Sequence, residues 1–377
     1  MLNLPDCLTA ESFLERHWQK SPLFMPAAIE SIKPRITRNE LGWLATLDDV
    51  ESRLVFAERD GERIRYRAET GPFSVEYLQR LPKRDWTLLV HDVEKHLPVF
   101  RALFQNVSFI PDWRIDDLMV SFAAPGGGVG PHRDNYDVFL CQGIGVRNWR
   151  FTLDDVDDDP EASEDLALLC EFASGESIDT SSGDVLYLPP GVAHWGTAKR
   201  ACITYSIGIR APEVKDLAAS LKYEAISEGR FYRDPDLGTN EAVPGYLSSA
   251  SVRRAIDSMG LANCRHEDIA ESLGKFSTLP KDSLMPDVAT PEEAESMLEY
   301  LNSGGHIQVH GMASIAFDDQ NLFVNGTSRA IPAGCSDLIM EICSQRSLSR
   351  PVKIKAGQAE LLIWMAKRGA FELNVNS

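Results

Sequence analysis

The feature that most constrains this chain is a histidine and an aspartate two positions apart, His132 and Asp134. They stand between a glycine-rich turn, Pro125 to Gly130, and an apolar, strand-like run ending at Leu140. On an extended strand, side chains two positions apart share a face, so an imidazole nitrogen and a carboxylate oxygen converge on one ion. The third ligand comes from His194, just past the Pro189-Pro190-Gly191 turn that closes the apolar stretch Val185 to Leu188. Two histidines and one carboxylate make the facial triad of non-haem Fe(II) sites, which leaves positions open for a cosubstrate and dioxygen; a structural zinc site is closed by four ligands. A His-x-Asp pair alone is common, because histidines are ordinary half-buried residues. The preceding glycine turn, the gap of 60 residues from Asp134 to His194 and an arginine on the intervening strand give the pair its weight.

That arginine is Arg147, which shares strand parity with Trp149 and Phe151. If those aromatic rings face a barrel interior, the guanidinium does too, and a buried guanidinium needs an anion. The distal carboxylate of a 2-oxo diacid chelating the metal suits its planar fork. An ordinary salt bridge to one of the nearby acids is the alternative.

At this point several stretches resemble a known family: Asp116-Asp117-Leu118-Met119, Gly126 to Phe139, Gln142-Gly143, Trp149-Arg150, Leu186 to His194 and Tyr205 to Gly208. They look like the bacterial JmjC-type ribosomal oxygenases, protein hydroxylases of the cupin superfamily that depend on Fe(II) and 2-oxoglutarate. The resemblance covers residues 1–210 and includes the segment His17-Trp18-Gln19-Lys20-Ser21-Pro22. It implies an α+β fold: a double-stranded β-helix (the cupin or JmjC jelly roll) over 1–210, a helical dimerisation module over 211–285, and a C-terminal winged-helix-like domain over 286–377. Metal binding falls to His132, Asp134 and His194, and cosubstrate binding to Arg147 and Thr204. Asp117, Met119, Tyr136 and Ser206 then line a substrate pocket that accepts an arginine side chain.

The chemistry agrees with that pocket, since a carboxylate grips guanidinium and a phenol ring stacks on it. Asp117 also suits a turn or cap role at a strand start, and Ser or Thr on strands mostly pack. The resemblance implies β-hydroxylation of an arginine in the large-subunit ribosomal protein numbered sixteen. A histidine hydroxylase acting on a ribosomal protein is the competitor within the class, and Asp117 favours arginine. Arg133 departs from the family pattern, where an apolar residue is usual between the ligands.

Charge bears on the partner. The net charge is −18, and residues 151–200 carry twelve acids against two bases, Lys199 and Arg200. Such a field repels nucleic acid and attracts a basic protein substrate, although a like-charged block also serves simply as a solvated loop. No apolar run has the length of a membrane helix and no leader pattern opens the chain, which predicts a cytoplasmic protein that does not enter a membrane. Seven scattered cysteines without metal spacing fit reduced thiols.

Along the chain, Thr9 to Ser12 reads as a helix start and Arg53–Ala57 with Arg63–Arg67 as strands flanking Asp60-Gly61. Trp86–Val90 reads as a buried strand, followed by an amphipathic helix near Leu97–Phe104. Barrel strands are expected at 117–123, 137–142, 147–153, 184–188 and 201–209. Helical patterns include Val214 to Leu221 and Val252 to Ile256, with a loop over 232–238. The last unit should start a helix at Thr290-Pro291, turn a hairpin at Asn325-Gly326, and add a helix near Asp337–Cys343, a strand at Val352–Lys355, a helix at Gly357–Lys367 and a strand at Phe371–Val375. From Ala289 onward there are ten acids and seven bases. Direct DNA binding by this unit is therefore not expected, despite the winged-helix order. The expected assembly is a homodimer, as the resemblance implies. Two readings from other classes stay open: a non-catalytic cupin binding module, and a small-molecule dioxygenase that needs no C-terminal half.

Overall fold

The structure is a computed structural model that describes residues 2, 4, 8–61, 63–160, 166–219, 221, 229–260, 265–281, 284–349 and 354–372. The chain forms two compact units, one of Met1–Ser108 with Ile115–Arg210, the other of Phe109–Arg114 with Ala211–Ser377.

The first unit holds the strands β1 (Leu23–Met25), β2 (Ser52–Asp60), β3 (Arg63–Thr70), β4 (Trp86–Val90), β5 (Ile115–Ala123), β6 (Val138–Ile144), β7 (Arg147–Thr152), β8 (Glu176–Thr180), β9 (Val185–Leu188), β10 (Ala193–Ala198) and β11 (Cys202–Ile209). Eight of them form one sheet in the order β1-β9-β6-β11-β5-β4-β2-β3, and β10-β7-β8 form a second. All the paired strands are antiparallel, and the two sheets face each other as a jelly roll. Side chains opposite one another in register share a face. Leu140 and Leu186 on the large sheet therefore point inward, where Trp149 and Phe151 of the small sheet meet them in one buried cluster.

The outer face of the large sheet is covered by helices and their connections. Four α-helices lie among the described residues of this unit: α1 (Ala10–Arg16), α2 (Arg38–Leu44), α3 (Val75–Gln79) and α4 (Val93–His96). Helix α1 starts at Thr9, whose hydroxyl accepts the Ser12 N–H, and Ser12 answers on the Thr9 N–H. Phe13 of this helix sets its ring 5.0 Å from Tyr187, and Trp18 just beyond stacks on the same ring at 6.0 Å. Truncating either aromatic to alanine would cost about 3–5 kcal/mol.

Several expectations are corrected. The amphipathic helix expected near Leu97–Phe104 is present, and it is of the 3-10 type over Pro98–Val107. Strand β6 begins at Val138, so His132 and Asp134 lie in the loop before it rather than on it. Strands β8 and β10 were not expected. Strand β8 is short, polar and mostly exposed, and β10 carries a glycine at 196. That glycine is required by close approach, because a Cβ there would stand 2.5 Å from the Trp149 ring.

The second unit is described by itself. It contains α5 (Val214–Ala219), α6 (Ser249–Met259), α7 (His266–Thr278), α8 (Pro291–Asn302), α9 (Ser336–Gln345) and α10 (Ala356–Ala366), with strands β12 (His306–Gln308), β13 (Ile315–Phe317), β14 (Asn321–Val324), β15 (Thr327–Ala330) and β16 (Ser347–Ser349). Helix α8 opens with the expected capping box between Thr290 and Glu293. Asn325 and Gly326 turn the β14–β15 hairpin. The loop over 232–238 is less passive than expected: buried Asp234 takes two hydrogen bonds from buried Arg114, at 2.9 and 3.0 Å. The expected strand at Val352–Lys355 is not found at 354 and 355, and its first half lies outside the described residues, as do 373–375 of the last expected strand. Among the described residues no helix is long and apolar enough to cross a membrane.

Candidate active site

His132 and His194 are brought together by the backbone. The two residues form an isolated antiparallel bridge, with His194 the second residue of β10, and their ring centroids are 4.1 Å apart. Asp134 reaches the same point from the loop, with Oδ2 3.6 Å from His194 Nε2. Each of the three offers a ligand atom within 4.8 Å of the others. His132 Nδ1 donates to the Gly130 carbonyl and His194 Nδ1 to the Val192 carbonyl, both at 3.0 Å, which fixes both tautomers and leaves the lone pair of each Nε2 open to a metal. Burial, reinforced by the neighbouring His132 and opposed by Asp134, holds His194 down at a pKa of about 4. It is therefore a neutral imidazole at neutral pH, the form a metal ligand needs.

Arg147 is buried on the inward face of β7, as its parity predicts. Its guanidinium lies over the Trp149 ring at 5.3 Å, and that ring is 6.0 Å from His194. Nη1 is 3.4 Å from Ser121 Oγ, and Nε is buried without a hydrogen-bond partner. Among the described residues no carboxylate pairs with Arg147. The salt-bridge alternative therefore finds no acid among the described residues.

Register places the remaining residues on one wall. On β5 the inward positions are Asp117, Met119 and Ser121, which oppose Gly208, Ser206 and Thr204 of β11. From Asp117 to Ser121 the wall runs about 13 Å at ordinary strand rise. At its Ser121 end, Thr204 donates to the Gln142 side-chain oxygen at 3.2 Å. Gln142 also accepts from Thr180, at 3.2 Å, and donates to the carbonyls of Ile144 and Ile203. At the other end, buried Asp117 accepts from His91 Nδ1 at 3.2 Å. Tyr136 is 41% exposed. Burial of its phenol, then the charges of Asp134, Asp117 and Asp116 and a hydrogen bond with Asp134, raise its pKa. Arg133 points the other way, donating to the Val156 carbonyl.

A JmjC domain matches residues 102–217. Over 337 residues the chain is 33% identical to the ribosomal protein uL16 3-hydroxylase of Escherichia coli strain K12, covering 86% of this chain and 85% of that one. The chain belongs to the JmjC-domain ribosomal oxygenases. A probable ribosomal oxygenase of Haemophilus influenzae is 32% identical over 317 residues, or 78% of this chain and 76% of that one. The X-ray structure of E. coli ycfD superposes with a TM-score of 0.76 at 29% identity over 99% of both chains. The structure of the E. coli ribosomal oxygenase YcfD with cobalt and 2-oxoglutarate gives 0.72 at 28% identity, over 97% and 98%. Like its relatives, this ribosomal oxygenase is a 2-oxoglutarate-dependent hydroxylase with a JmjC/cupin fold.

The donor set of this ribosomal oxygenase fits a ferrous ion: two imidazole nitrogens and one carboxylate, too few to close the shell. The unpartnered Nε of Arg147 fits an anionic cosubstrate carboxylate. Reading the sequence missed His91, 26 residues from Asp117 and outside every motif, and the multiple bonds that Gln142 makes. No local signal marks a cross-strand partner of this kind.

Proposed function

We propose that this ribosomal oxygenase hydroxylates the β-carbon of an arginine in the basic ribosomal protein uL16. The observation that carries the reading is Asp117: a buried carboxylate on the barrel wall that pairs with His91 alone among the described residues. A bidentate guanidinium is the complement of such a group, and Tyr136 offers a ring face beside it. Met119 and Ser206, opposite each other in register, would flank the aliphatic stem.

In this reading His132, Asp134 and His194 hold Fe(II), and Arg147 holds the distal carboxylate of 2-oxoglutarate. Iron and 2-oxoglutarate, when bound, would supply the electrons that activate dioxygen, the oxidant, for C–H hydroxylation. The protein contributes placement. Trp149 packs against both Arg147 and His194, Gln142 holds Thr204 at the cosubstrate end, and Asp117 fixes the substrate side chain at the other. The acid-rich stretch 151–200 favours a basic partner over nucleic acid.

The finer organisation is part of the same proposal. The order of elements behind the barrel supports a helical dimerisation module over 211–285 and a winged-helix-like domain over 286–377; the core around Leu338 and Leu361 lies in the latter, while the core around Val252 and Leu273 also takes in Ala316 and Phe323. A homodimer in the cytoplasm, where ribosomes are assembled, completes the reading.

The test is mass spectrometry of ribosomal proteins from a strain lacking this gene, after incubation with the purified enzyme, iron(II), 2-oxoglutarate and air. A gain of one oxygen on one arginine of uL16, absent with His132→Ala, is expected. Oxygen on a histidine, or on no ribosomal protein, overturns the substrate assignment.

A further inference from the structure

We propose that His91 is the positioning residue that presents the Asp117 carboxylate to the substrate guanidinium, a role that rests on the reading of Asp117 given above. His91 directly follows β4, and its backbone N–H donates to the Glu51 carbonyl at 2.9 Å, which anchors the residue. Its Nδ1 lies 3.2 Å from Asp117 Oδ2. A carboxylate only accepts, so the ring donates from Nδ1.

The second oxygen is placed by a glycine. A Cβ at Gly208 would come within 2.7 Å of Asp117 Oδ1, so this oxygen rests on the bare β11 backbone. One oxygen is thus held by His91 and the other lies where any side chain would displace it. The adjoining main chain is held from the same segment, because the Leu118 N–H donates to Glu94 Oε2 at 2.9 Å. The stretch from His91 to Glu94 therefore fixes strand β5 at two adjacent points, one on a side chain and one on the backbone. Lys95, the nearest lysine in sequence, is bonded to Asp92 instead.

A fork-to-fork pair with guanidinium requires the carboxylate plane to be set before binding. Each carboxylate oxygen has two lone pairs, so Oδ2 can keep the imidazole and still accept from a guanidinium. Without His91 the carboxylate is free to rotate, and the loss appears in substrate binding.

The experiment uses the full-length enzyme with purified uL16 and compares His91→Phe, His91→Asn and Asp117→Asn. Asparagine offers an N–H close to where Nδ1 stands. His91→Phe should raise the KM for uL16 about tenfold, the weight of one hydrogen bond to a charged group. The KM for 2-oxoglutarate, 2-oxoglutarate turnover without uL16, and Tm should stay as in the wild type. His91→Asn should restore most of the uL16 KM. An unchanged uL16 KM in His91→Phe, an equal rise in the 2-oxoglutarate KM, or failure of asparagine to rescue overturns the proposal. If Asp117→Asn is impaired while His91→Phe is not, only the role of His91 falls. If Asp117→Asn binds uL16 normally, the substrate reading falls and the role of His91 falls with it.

Discussion

His132 and His194 are joined main chain to main chain, each N–H donating to the other's carbonyl, at 2.9 and 2.8 Å. The spacing of the two imidazoles is therefore a property of the polypeptide and exists before any ion arrives. A site preorganised in this way loses little on binding its metal.

Removing one imidazole should take away a ligand and leave the bridge. His132→Ala should keep a wild-type circular dichroism spectrum, lose ferrous or cobaltous affinity by more than roughly a hundredfold, and hydroxylate nothing. Calorimetric titration with Co(II) checks this. Wild-type metal affinity in the variant would contradict the assignment of the ligand.

Arg147 should act on the cosubstrate and not on the metal. Arg147→Lys keeps a charge but loses the planar fork and the stacking on Trp149. The KM for 2-oxoglutarate should rise about tenfold with lysine and about a hundredfold with alanine. Succinate release against 2-oxoglutarate concentration measures both, and Co(II) affinity serves as the control that should not move.

Glu94 should give the fold a pH dependence. Burial, as the largest cause, pushes its carboxyl up to about 7 from an ordinary 4.5. The folded value lies above the unfolded one, so the protonated group contributes its stability in full below pH 4.5 and loses it as the pH rises through 7. Glu94→Gln keeps an acceptor for the Leu118 N–H and cannot ionise. Relative to this variant, the wild type should lose up to roughly 3 kcal/mol between about pH 5 and pH 8. Urea unfolding of both proteins at the two pH values tests it, and parallel curves would show that Glu94 titrates normally.

Gly208→Ala should separate folding from substrate binding. The added methyl group collides with Asp117 Oδ1, the tip of a side chain that can swing away, so the stability cost should stay near 1 kcal/mol. The displaced carboxylate should weaken uL16 binding several-fold and leave 2-oxoglutarate binding intact. Equal losses for both would mean that β11 itself has shifted.

The candidate metal ligands are legible because their chemistry is sparse: few residue types can hold iron, and His132, Asp134 and His194 stand beside turn signals that mark them. The reason first given for their convergence was nevertheless wrong. His132 and Asp134 are not on a strand, and it is the bridge between His132 and His194, a contact across 62 positions, that sets the two imidazoles together. Strand parity did hold for Arg147, Trp149 and Phe151, where a regular ladder enforces it. Strands β8 and β10 escaped notice because neither alternates in hydrophobicity: β8 is a polar edge, and Gly196 interrupts β10 for the sake of the Trp149 ring. His91 escaped because nothing near it in sequence needs a histidine. Its reason lies on the neighbouring strand.

Arg133 stands between two ligands, yet it faces away from them and donates to the carbonyl of Val156, in the acid-rich insert between β7 and β8. The insert returns the contact, with the Leu169 N–H donating to the carbonyl of Pro131 at 2.9 Å. The loop that carries His132 and Asp134 is thus clasped on both sides of His132 by a segment outside the candidate ligand set. Anyone transplanting this iron centre into another barrel, or trimming its acidic loop to change the preferred substrate, would have to move the clasp and the ligands as one part.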